Sequence, residues 1–300
     1  MSDITIVICY VRGTAEMMAV CLGAIARHTD NSVRVIVATG EGHIDDGLVD
    51  VVGDSPLSIT ILEVMDRFMV KGREHGAILD RIVMNEVSTP YTLTLDSDCF
   101  PIADGWLEGL QEMMRTTSKS GTAGILHPWG PPPQMKTTAI EWRVRKQHCW
   151  ETTHVACQLI RTVDAKASIQ SAVGYAVGDD TSLGMIELLK SLNHTCTGYK
   201  PTRCPKPAVE FDAEFNRYSC VVYGDMVVHV GGFSRENVFG DDAVFGKAFN
   251  WVEGRILEEG GAEFLLEDDE SYRYTLDREE EVAAEKMQRL FGLKSQRMTV

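Results

Sequence analysis

The chain has 300 residues and a formal net charge of −15, from 44 acidic and 29 basic side chains. Its hydrophobic content of 44% supplies enough apolar surface for a core, which excludes a disordered chain. No apolar run approaches the roughly 20 residues that span a bilayer, and the acidic balance argues against a surface that follows nucleic-acid backbone over many phosphates. The eight cysteines are scattered, and the N-terminus lacks secretory-signal features. These features predict reduced thiols and a cytoplasmic location.

Apolar patterning predicts alternating strands and helices in the first hundred residues. Continuous β-branched runs predict strands over residues 4–10, 33–38, 58–64 and 91–95, and helical spacing predicts helices over 14–28 and 73–87. This alternation predicts an α/β fold with an open, mostly parallel twisted sheet and helices on both faces. Because ligands bind beyond the carboxyl ends of such strands, we expect Tyr10, residues 39–41 and residues 96–98 to line one crevice.

The pattern becomes less regular after residue 100. We predict helices over 104–115 and 180–192, strands over 124–127 and 155–160, a hairpin over 220–230, and helices over 241–258 and 277–292. Residues 128–150 are predicted to form a loop over the crevice, because their prolines cannot donate backbone hydrogen bonds. Residues 199–218 are predicted to be irregular. With no repeat or linker, we predict one domain over residues 1–240 and a C-terminal helical extension over 241–300.

The sharpest chemical feature is Asp96-Ser97-Asp98, which follows the fourth predicted strand. Two carboxylates directly after a buried strand are costly to leave without water or a cation. Hard oxygen ligands of this kind suit Mg²⁺ or Mn²⁺, whose coordination is completed by water and phosphate oxygens. The alternative is a turn in which Asp bonds to its own backbone.

The residues around this motif carry a resemblance to a known family. They are His75-Gly76-Ala77-Ile78-Leu79-Asp80, then S-T-P-Y-T-L-T-L-D-S-D over residues 88–98, then D-G-W-L over 104–107. This ordered set resembles family 2 glycosyltransferases with the GT-A fold, including bacteriophage-type members. The resemblance implies a Rossmann-like catalytic domain, with residues 1–110 as the nucleotide-sugar half and residues 111–240 as a smaller β and irregular acceptor half. The implied reaction is metal-dependent transfer of a hexosyl or pentosyl group, with a UDP-sugar as the first choice of donor.

The resemblance also implies roles for individual residues. Asp98 would bind the Mn²⁺ or Mg²⁺ that bridges the diphosphate, and Asp96 would contact the ribose or order metal-bound water. The cation would stabilise the departing nucleoside diphosphate. The remaining implied donor-binding residues lie at strand ends, beside the third helix and in the D-x-D: Tyr10, Arg12, Thr39, Glu41, Lys71, Arg73, Gly76 and Ser97. Lys71 and Arg73 would pair with phosphate, and Gly76 would allow the donor close to the backbone.

His229 is a second candidate, at the end of an apolar strand and before Gly-Gly-Phe-Ser-Arg. By the resemblance, His229 ligates the same metal or touches the diphosphate, and Ser234 and Arg235 bind phosphate. The alternative is a hydrogen-bonded structural histidine.

Gly178-Asp179-Asp180-Thr181 is the third candidate, just before a predicted helix. If Asp180 has only a structural role, its side chain caps the N-terminus of that predicted helix. The resemblance implies that Asp180, or secondarily Asp179, takes the proton from the acceptor hydroxyl in an inverting reaction.

Two basic segments interrupt the acidic sequence, at residues 136–146 and 200–206. They are either solvated surface or a site for an anionic acceptor, with tryptophan rings between the charges of the first segment. Some bacteriophage relatives glycosylate hydroxymethylated bases in DNA, so the acceptor is expected to be a glycan, a small molecule or modified DNA.

Three other functions remain open. A haloacid-dehalogenase-type phosphatase also uses D-x-D after a strand, but that motif usually follows the first strand and precedes a small or β-branched residue. A sugar nucleotidyltransferase would need a glycine-rich, basic loop after the first strand, which this sequence lacks. A degenerate, non-catalytic sugar-nucleotide-binding module is the third alternative. The spacing of His148, Cys149, His154 and Cys157 does not match the common zinc signatures, so no structural zinc is predicted.

Overall fold

The computed structural model describes residues 3–30, 32–64, 74–116, 119–126, 152–176, 183–203 and 220–230. Within these ranges the first sheet contains seven strands. They are β1 (Ile4–Cys9), β2 (Arg34–Gly40), β3 (Ser58–Val64), β4 (Tyr91–Asp96), β6 (Ser120–Leu126), β7 (Thr153–Arg161) and β8 (Thr195–Tyr199). A second sheet of four strands contains β5 (Cys99–Pro101), β9 (Pro201–Arg203), β10 (Cys220–Tyr223) and β11 (Val227–Val230).

The strand order of the first sheet is β3-β2-β1-β4-β7-β6-β8. Only β7 among these strands runs against its neighbours, since β4 and β6 both pair with it antiparallel and the other pairs are parallel. This order confirms the predicted open, mostly parallel α/β sheet. The β-branched run of β1 is buried along nearly its whole length, as expected for a strand covered on both faces.

Six helices are described. They are α1 (Ala15–His28), α2 (Asp46–Gly53), α3 (Glu74–Asn85), α4 (Trp106–Thr116), α5 (Thr162–Gln170) and α6 (Leu183–Ser191). Buried side chains of α1 and α4 belong to one apolar cluster, and those of α3, α5 and α6 belong to another. Alternate residues of β1 point into the two clusters, so the helices cover both faces of the sheet. None of the described helices combines the length and apolarity needed to cross a bilayer.

The second sheet is antiparallel, with the order β5-β11-β10-β9. β5 follows β4 after a two-residue turn, Ser97-Asp98. The sheet therefore joins the carboxyl end of β4 to the hairpin of β10 and β11. This hairpin was predicted over residues 220–230 and is confirmed, with its turn at residues 224–226.

Several elements differ from the sequence predictions. Helices α2 and α5 were missed, as were the short strand β5 and the edge strand β8. β9 lies inside a segment that was predicted to be irregular. β8 has the sequence T-C-T-G-Y, which carries no apolar run, and its conformation comes from parallel pairing with β6. The predicted proline loop over 128–150 and the predicted helices over 241–258 and 277–292 lie outside the described residues, as does the whole extension over 241–300.

Candidate functional site

The candidate site lies where the strand order of the first sheet changes direction. β1 has β2 on one side and β4 on the other. The chain extends the sheet from β1 through β2 to β3 in one direction, and from β4 onward in the opposite direction. Parallel pairing sets Cys9 opposite Asp96 at the carboxyl ends. The crevice outside such a switch point is the usual ligand site of an open α/β sheet. Asp96-Ser97-Asp98 therefore occupies the place that the sequence predicted for it.

His229 reaches this turn through the second sheet. β11 pairs antiparallel with β5 in a register that sets His229 opposite Cys99, the residue after Asp98. As a result, His229 Nε2 lies 3.6 Å from Asp98 Oδ1. The side chain of Asp98 is 2% exposed and that of His229 is 18% exposed, so the contact is shielded from bulk water.

Asp96, Asp98 and His229 form one potential ligand set. Each offers one ligand atom, and these atoms all lie within 4.8 Å of one another. Two carboxylates this close repel each other, and their burial is costly unless a cation offsets it. The buried hydroxyl of Ser97, between them in sequence, has no hydrogen-bond partner among the described residues. Carboxylate oxygens with one imidazole suit a divalent ion such as Mn²⁺, so the residues present fit a metal.

Cysteine thiols lie beneath the two carboxylates. Burial raises the pKa of Cys9, and the negative charge of Asp96 raises it further. Burial is likewise the largest cause of the raised pKa of Cys99. Its contact with Cys157 and the charges of Asp96 and Asp98 raise this pKa further. Burial and the neighbouring carboxylates thus disfavour the thiolate form of both cysteines. The three potential ligands supply carboxylate oxygen and imidazole nitrogen.

Two further histidines lie beside the three potential ligands, one near Asp96 and one near His229, and sequence reasoning assigned neither of them to this site. His75 Nε2, on α3, lies 3.4 Å from Asp96 Oδ1. The ring of His154, on β7, lies with its centroid 5.4 Å from that of His229. The backbone N–H of Ala156 donates to His154 Nδ1 over 3.2 Å. No spacing rule could have found them, because the three histidines lie on separate elements.

Tyr10 and Thr39 make hydrogen bonds within the chain at the ends of β1 and β2. Tyr10 is 3% exposed, and its hydroxyl donates to Asp45 at 2.9 and 2.7 Å from the two carboxylate oxygens. The Thr39 hydroxyl is fully buried and donates to the Tyr10 carbonyl over 3.2 Å. Burial raises the pKa of Tyr10, and the bond to Asp45 raises it further. Tyr10 and Thr39 remain predictions as nucleoside contacts.

Arg12 and Glu41 keep exposed side chains at the same end of the sheet. Arg12 Nη1 lies 3.5 Å from the Gly42 carbonyl oxygen, and the Gly42 amide donates to Glu63 over 2.6 Å. The backbone between β2 and α2 is thereby tied to β3. Arg12 and Glu41 remain predictions as donor contacts.

Another segment of this chain lies very close to the backbone of Gly76, where a contact with the donor was predicted. A Cβ at Gly76 would lie 2.6 Å from both Ala176 Cα and the Tyr175 carbonyl oxygen. Asp80, one turn further along α3, accepts from the amides of Tyr175 and Ala176 over 2.7 and 3.3 Å. Segment 174–176 therefore packs against Gly76, and the contact of Gly76 with the donor remains a prediction.

The other predicted site residues lie outside the described residues. They are Lys71, Arg73, Asp179, Asp180, Ser234 and Arg235, and the basic segment 136–146 lies outside as well. Of the second basic segment, residues 200–203 are described, and Lys200 is exposed at the start of β9.

No protein-family model matches this sequence, and no curated protein sequence matches it either. Among solved structures, the S. aureus TarS 1-349 structure in complex with UDP-GlcNAc is 13% identical, with a TM-score of 0.41 over 67% of this chain and 59% of that chain. The mannosyltransferase PcManGT from Pyrobaculum calidifontis, in complex with GDP-Man and Mn²⁺, is 12% identical, with a TM-score of 0.48 over 96% of this chain and 82% of that chain.

A 4-diphosphocytidyl-2C-methyl-D-erythritol synthase from Anaerococcus prevotii is 10% identical, with a TM-score of 0.44 over 66% of this chain and 86% of that chain. This chain thus spans about six-tenths of the TarS structure and more of the other two. Glycosyltransferases are among the matches. At these identities and TM-scores the matches carry no argument about activity.

Proposed function

We propose that this chain is a metal-dependent glycosyltransferase that moves a sugar from a nucleotide sugar to an acceptor hydroxyl with inversion at the anomeric carbon. The observation that carries the proposal is the Asp96, Asp98 and His229 cluster at the switch point between β1 and β4. A dication held there would neutralise the negative charge that develops on the departing nucleoside diphosphate. Mn²⁺ is the first choice of ion, and a UDP-sugar is the first choice of donor.

The three residues of the cluster differ in burial, and their proposed roles differ accordingly. Asp98, almost fully buried, presents its ligand atom from the turn before β5, and His229 presents its own from β11. Asp96 is more exposed, with 18% of its side chain open to solvent, and it would reach toward the ribose or toward metal-bound water. Arg12 and Glu41 would contact the nucleoside from the rim.

The general base is proposed to be Asp180, with Asp179 as the alternative. Asp180 is four positions beyond Ala176, whose amide is held by Asp80 on α3. Four residues of extended chain span at most about 14 Å, and this length limits the distance between Asp180 and Ala176. The same helix, α3, carries His75 beside Asp96. The base would take the proton of the acceptor hydroxyl as its oxygen attacks the anomeric carbon and the nucleoside diphosphate departs.

The test of donor chemistry is a panel of UDP- and GDP-sugars with Mn²⁺, read out as free nucleoside diphosphate. We expect Asp98→Asn to lower the rate by about 100-fold or more, because a metal supplies several kcal/mol of charge stabilisation. Asp104→Asn is the matched control, since Asp104 also faces a histidine but lies on an exposed loop, with 88% of its side chain exposed. Equal rates for the parent protein and Asp98→Asn would contradict the proposal.

The same assay separates the alternatives. Release of inorganic phosphate from a phosphomonoester would identify a phosphatase, and release of pyrophosphate from a nucleoside triphosphate and a sugar phosphate would identify a nucleotidyltransferase. Tight donor binding without any product would identify a binding module.

The role of the base is tested by Asp180→Asn and Asp179→Asn. The first should stop turnover while donor binding in the presence of Mn²⁺ stays nearly unchanged, because the base acts on the acceptor and not on the donor. Full activity of Asp180→Asn together with loss of activity in Asp179→Asn would assign the role to Asp179.

The acceptor is proposed to be a glycan, a small molecule or a hydroxymethylated base in DNA.

A further inference from the structure

His75 approaches the potential metal ligands from the side opposite to the second sheet. It lies in the first turn of α3, and its Nε2 atom is 3.4 Å from Asp96 Oδ1. About a third of its side chain is exposed. His229, by contrast, contacts Asp98 from β11. Each carboxylate of the pair thus faces its own imidazole, one presented by a helix and one by a strand.

The helix that carries His75 is fastened beside the site. Its neighbour Gly76 lies so close to Ala176 that a methyl group would not fit between them. Asp80 accepts hydrogen bonds from the amides of Tyr175 and Ala176. Burial raises the pKa of Asp80 in spite of these two bonds, so the carboxylate is a desolvated anchor rather than a surface group. The start of α3, and with it the backbone of His75, is therefore held against the segment 174–176.

His75 is not a member of the ligand set itself. Among the described residues, the acidic and histidine side chains whose ligand atoms all lie within 4.8 Å of one another are those of Asp96, Asp98 and His229. An imidazole N–H 3.4 Å from a carboxylate oxygen attracts that oxygen, and a small rotation of either group brings the pair into the usual range of a hydrogen bond. Such contacts orient ligating carboxylates and tune metal affinity.

We propose that His75 is a positioning residue, which donates from Nε2 to one oxygen of Asp96 and thereby orients this carboxylate toward the dication that Asp96, Asp98 and His229 share. The inference rests on the proposed metal site. It adds that the affinity of the site for the metal depends on α3 as well as on the D-x-D turn and β11. The anchoring of α3 by Gly76 and Asp80 keeps the donor at the distance that this role requires.

The experiment compares Mn²⁺ binding by calorimetry for the parent protein, His75→Ala and His75→Gln, with and without a nucleoside diphosphate. We expect His75→Ala to weaken Mn²⁺ binding by about 10-fold or more, as for other groups that orient metal ligands. His75→Gln should recover most of this loss, since its amide nitrogen can donate from a similar position. Both variants should melt within about 2 °C of the parent protein, because His75 is partly exposed.

The matched control is His28→Ala. His28 also faces an aspartate, with Nδ1 2.8 Å from Asp104 Oδ1, but this pair joins α1 to the loop before α4. Its loss should leave Mn²⁺ affinity unchanged. Electron spin echo measurements on bound Mn²⁺ provide the second readout. The signal from a coordinated imidazole nitrogen should disappear in His229→Ala and persist in His75→Ala.

The outcomes distinguish a failure of the proposed role of His75 from a failure of the proposed metal site. Unchanged Mn²⁺ affinity in His75→Ala, with loss of binding in Asp98→Asn, would overturn the role of His75 and leave the metal site in place. Loss of the nitrogen signal in His75→Ala would show a direct ligand and also overturn the positioning role. Absence of Mn²⁺ binding to the parent protein under both conditions would overturn the metal site and the role of His75 together.

Discussion

Asp45 joins the end of β1 to the start of α2. Its carboxylate accepts from the Tyr10 hydroxyl, from the Gly13 amide over 3.0 Å and from the Leu48 amide over 2.9 Å. The last of these bonds is the N-cap of α2. Burial alone would raise the pKa of Asp45, but the hydrogen bonds and the charge of Arg12 together lower it. Asp45 thereby ties the loop after β1 to the start of α2, beside the proposed nucleoside site.

The lowered pKa of Asp45 gives a prediction with a defined sign. An aspartate whose native pKa lies below its unfolded value of about 3.9 stabilises the fold above that pH and loses the contribution as the pH falls through its native pKa. We expect Asp45→Ala to lower the free energy of unfolding by about 1–2 kcal/mol at pH 7, and the difference from the parent protein to shrink below about pH 4. Urea unfolding at pH 7 and at pH 3 measures both values.

Asp50→Ala is the control for this prediction, because Asp50 is exposed on the same helix and should change the stability by less than about 0.5 kcal/mol. A difference between Asp45→Ala and the parent protein that grows on acidification would contradict the assignment.

At the scale of secondary-structure elements, α3 determines how the two halves of the crevice meet. Ile78, Leu79, Ile82 and Val83 pack on the sheet, while Gly76 and Asp80 hold the segment 174–176. Helical spacing of the apolar residues predicted this helix over 73–87. It could not predict the contact with residues 174–176, because a glycine in a helix carries no local sign of what will pack against it.

Two glycines in helices give a matched pair of substitutions. Gly76→Ala should destabilise the protein by about 1–3 kcal/mol, since the new methyl group meets backbone atoms that have little freedom to move. Gly23→Ala in α1 has open space around its Cβ and should stabilise the protein by about 0.5–1 kcal/mol through helix propensity. Thermal or urea unfolding of both variants is the measurement. A Gly76→Ala protein as stable as Gly23→Ala would show that segment 174–176 is not packed against α3 as described.

At the scale of the whole molecule, the proposed metal site links both sheets. Asp96 ends β4 of the first sheet, and Asp98 and His229 are held by β5 and β11 of the second. A ligand that binds only the folded state stabilises all the elements that form its site, by about 2.7 kcal/mol at a concentration 100 times its dissociation constant. Metal binding should therefore be visible in global unfolding.

We expect Mn²⁺ with a nucleoside diphosphate to raise the melting temperature by several degrees, and Mg²⁺ to raise it less. The reason is the imidazole ligand, since Mg²⁺ prefers oxygen ligands and its own water, whereas imidazole suits the transition metals. Asp98→Asn should remove both shifts, and removal of the metal with a chelator should reverse them. An equal response to Mg²⁺ and Mn²⁺ would argue against His229 as a ligand.

Buried β-branched runs and helical periodicity are local signals, so they were sufficient to predict the α/β alternation, the parallel strands β1 to β4 and the position of Asp96 and Asp98 at a strand end. The position of His229 at the end of an apolar strand also made it a candidate. The contacts of His229 with Asp98 and of His75 with Asp96 became visible in the folded chain alone, as did the packing of Tyr10, Thr39 and Gly76 within the chain. These contacts join residues far apart in the sequence, and their geometry comes from strand register and helix packing, which no local pattern encodes.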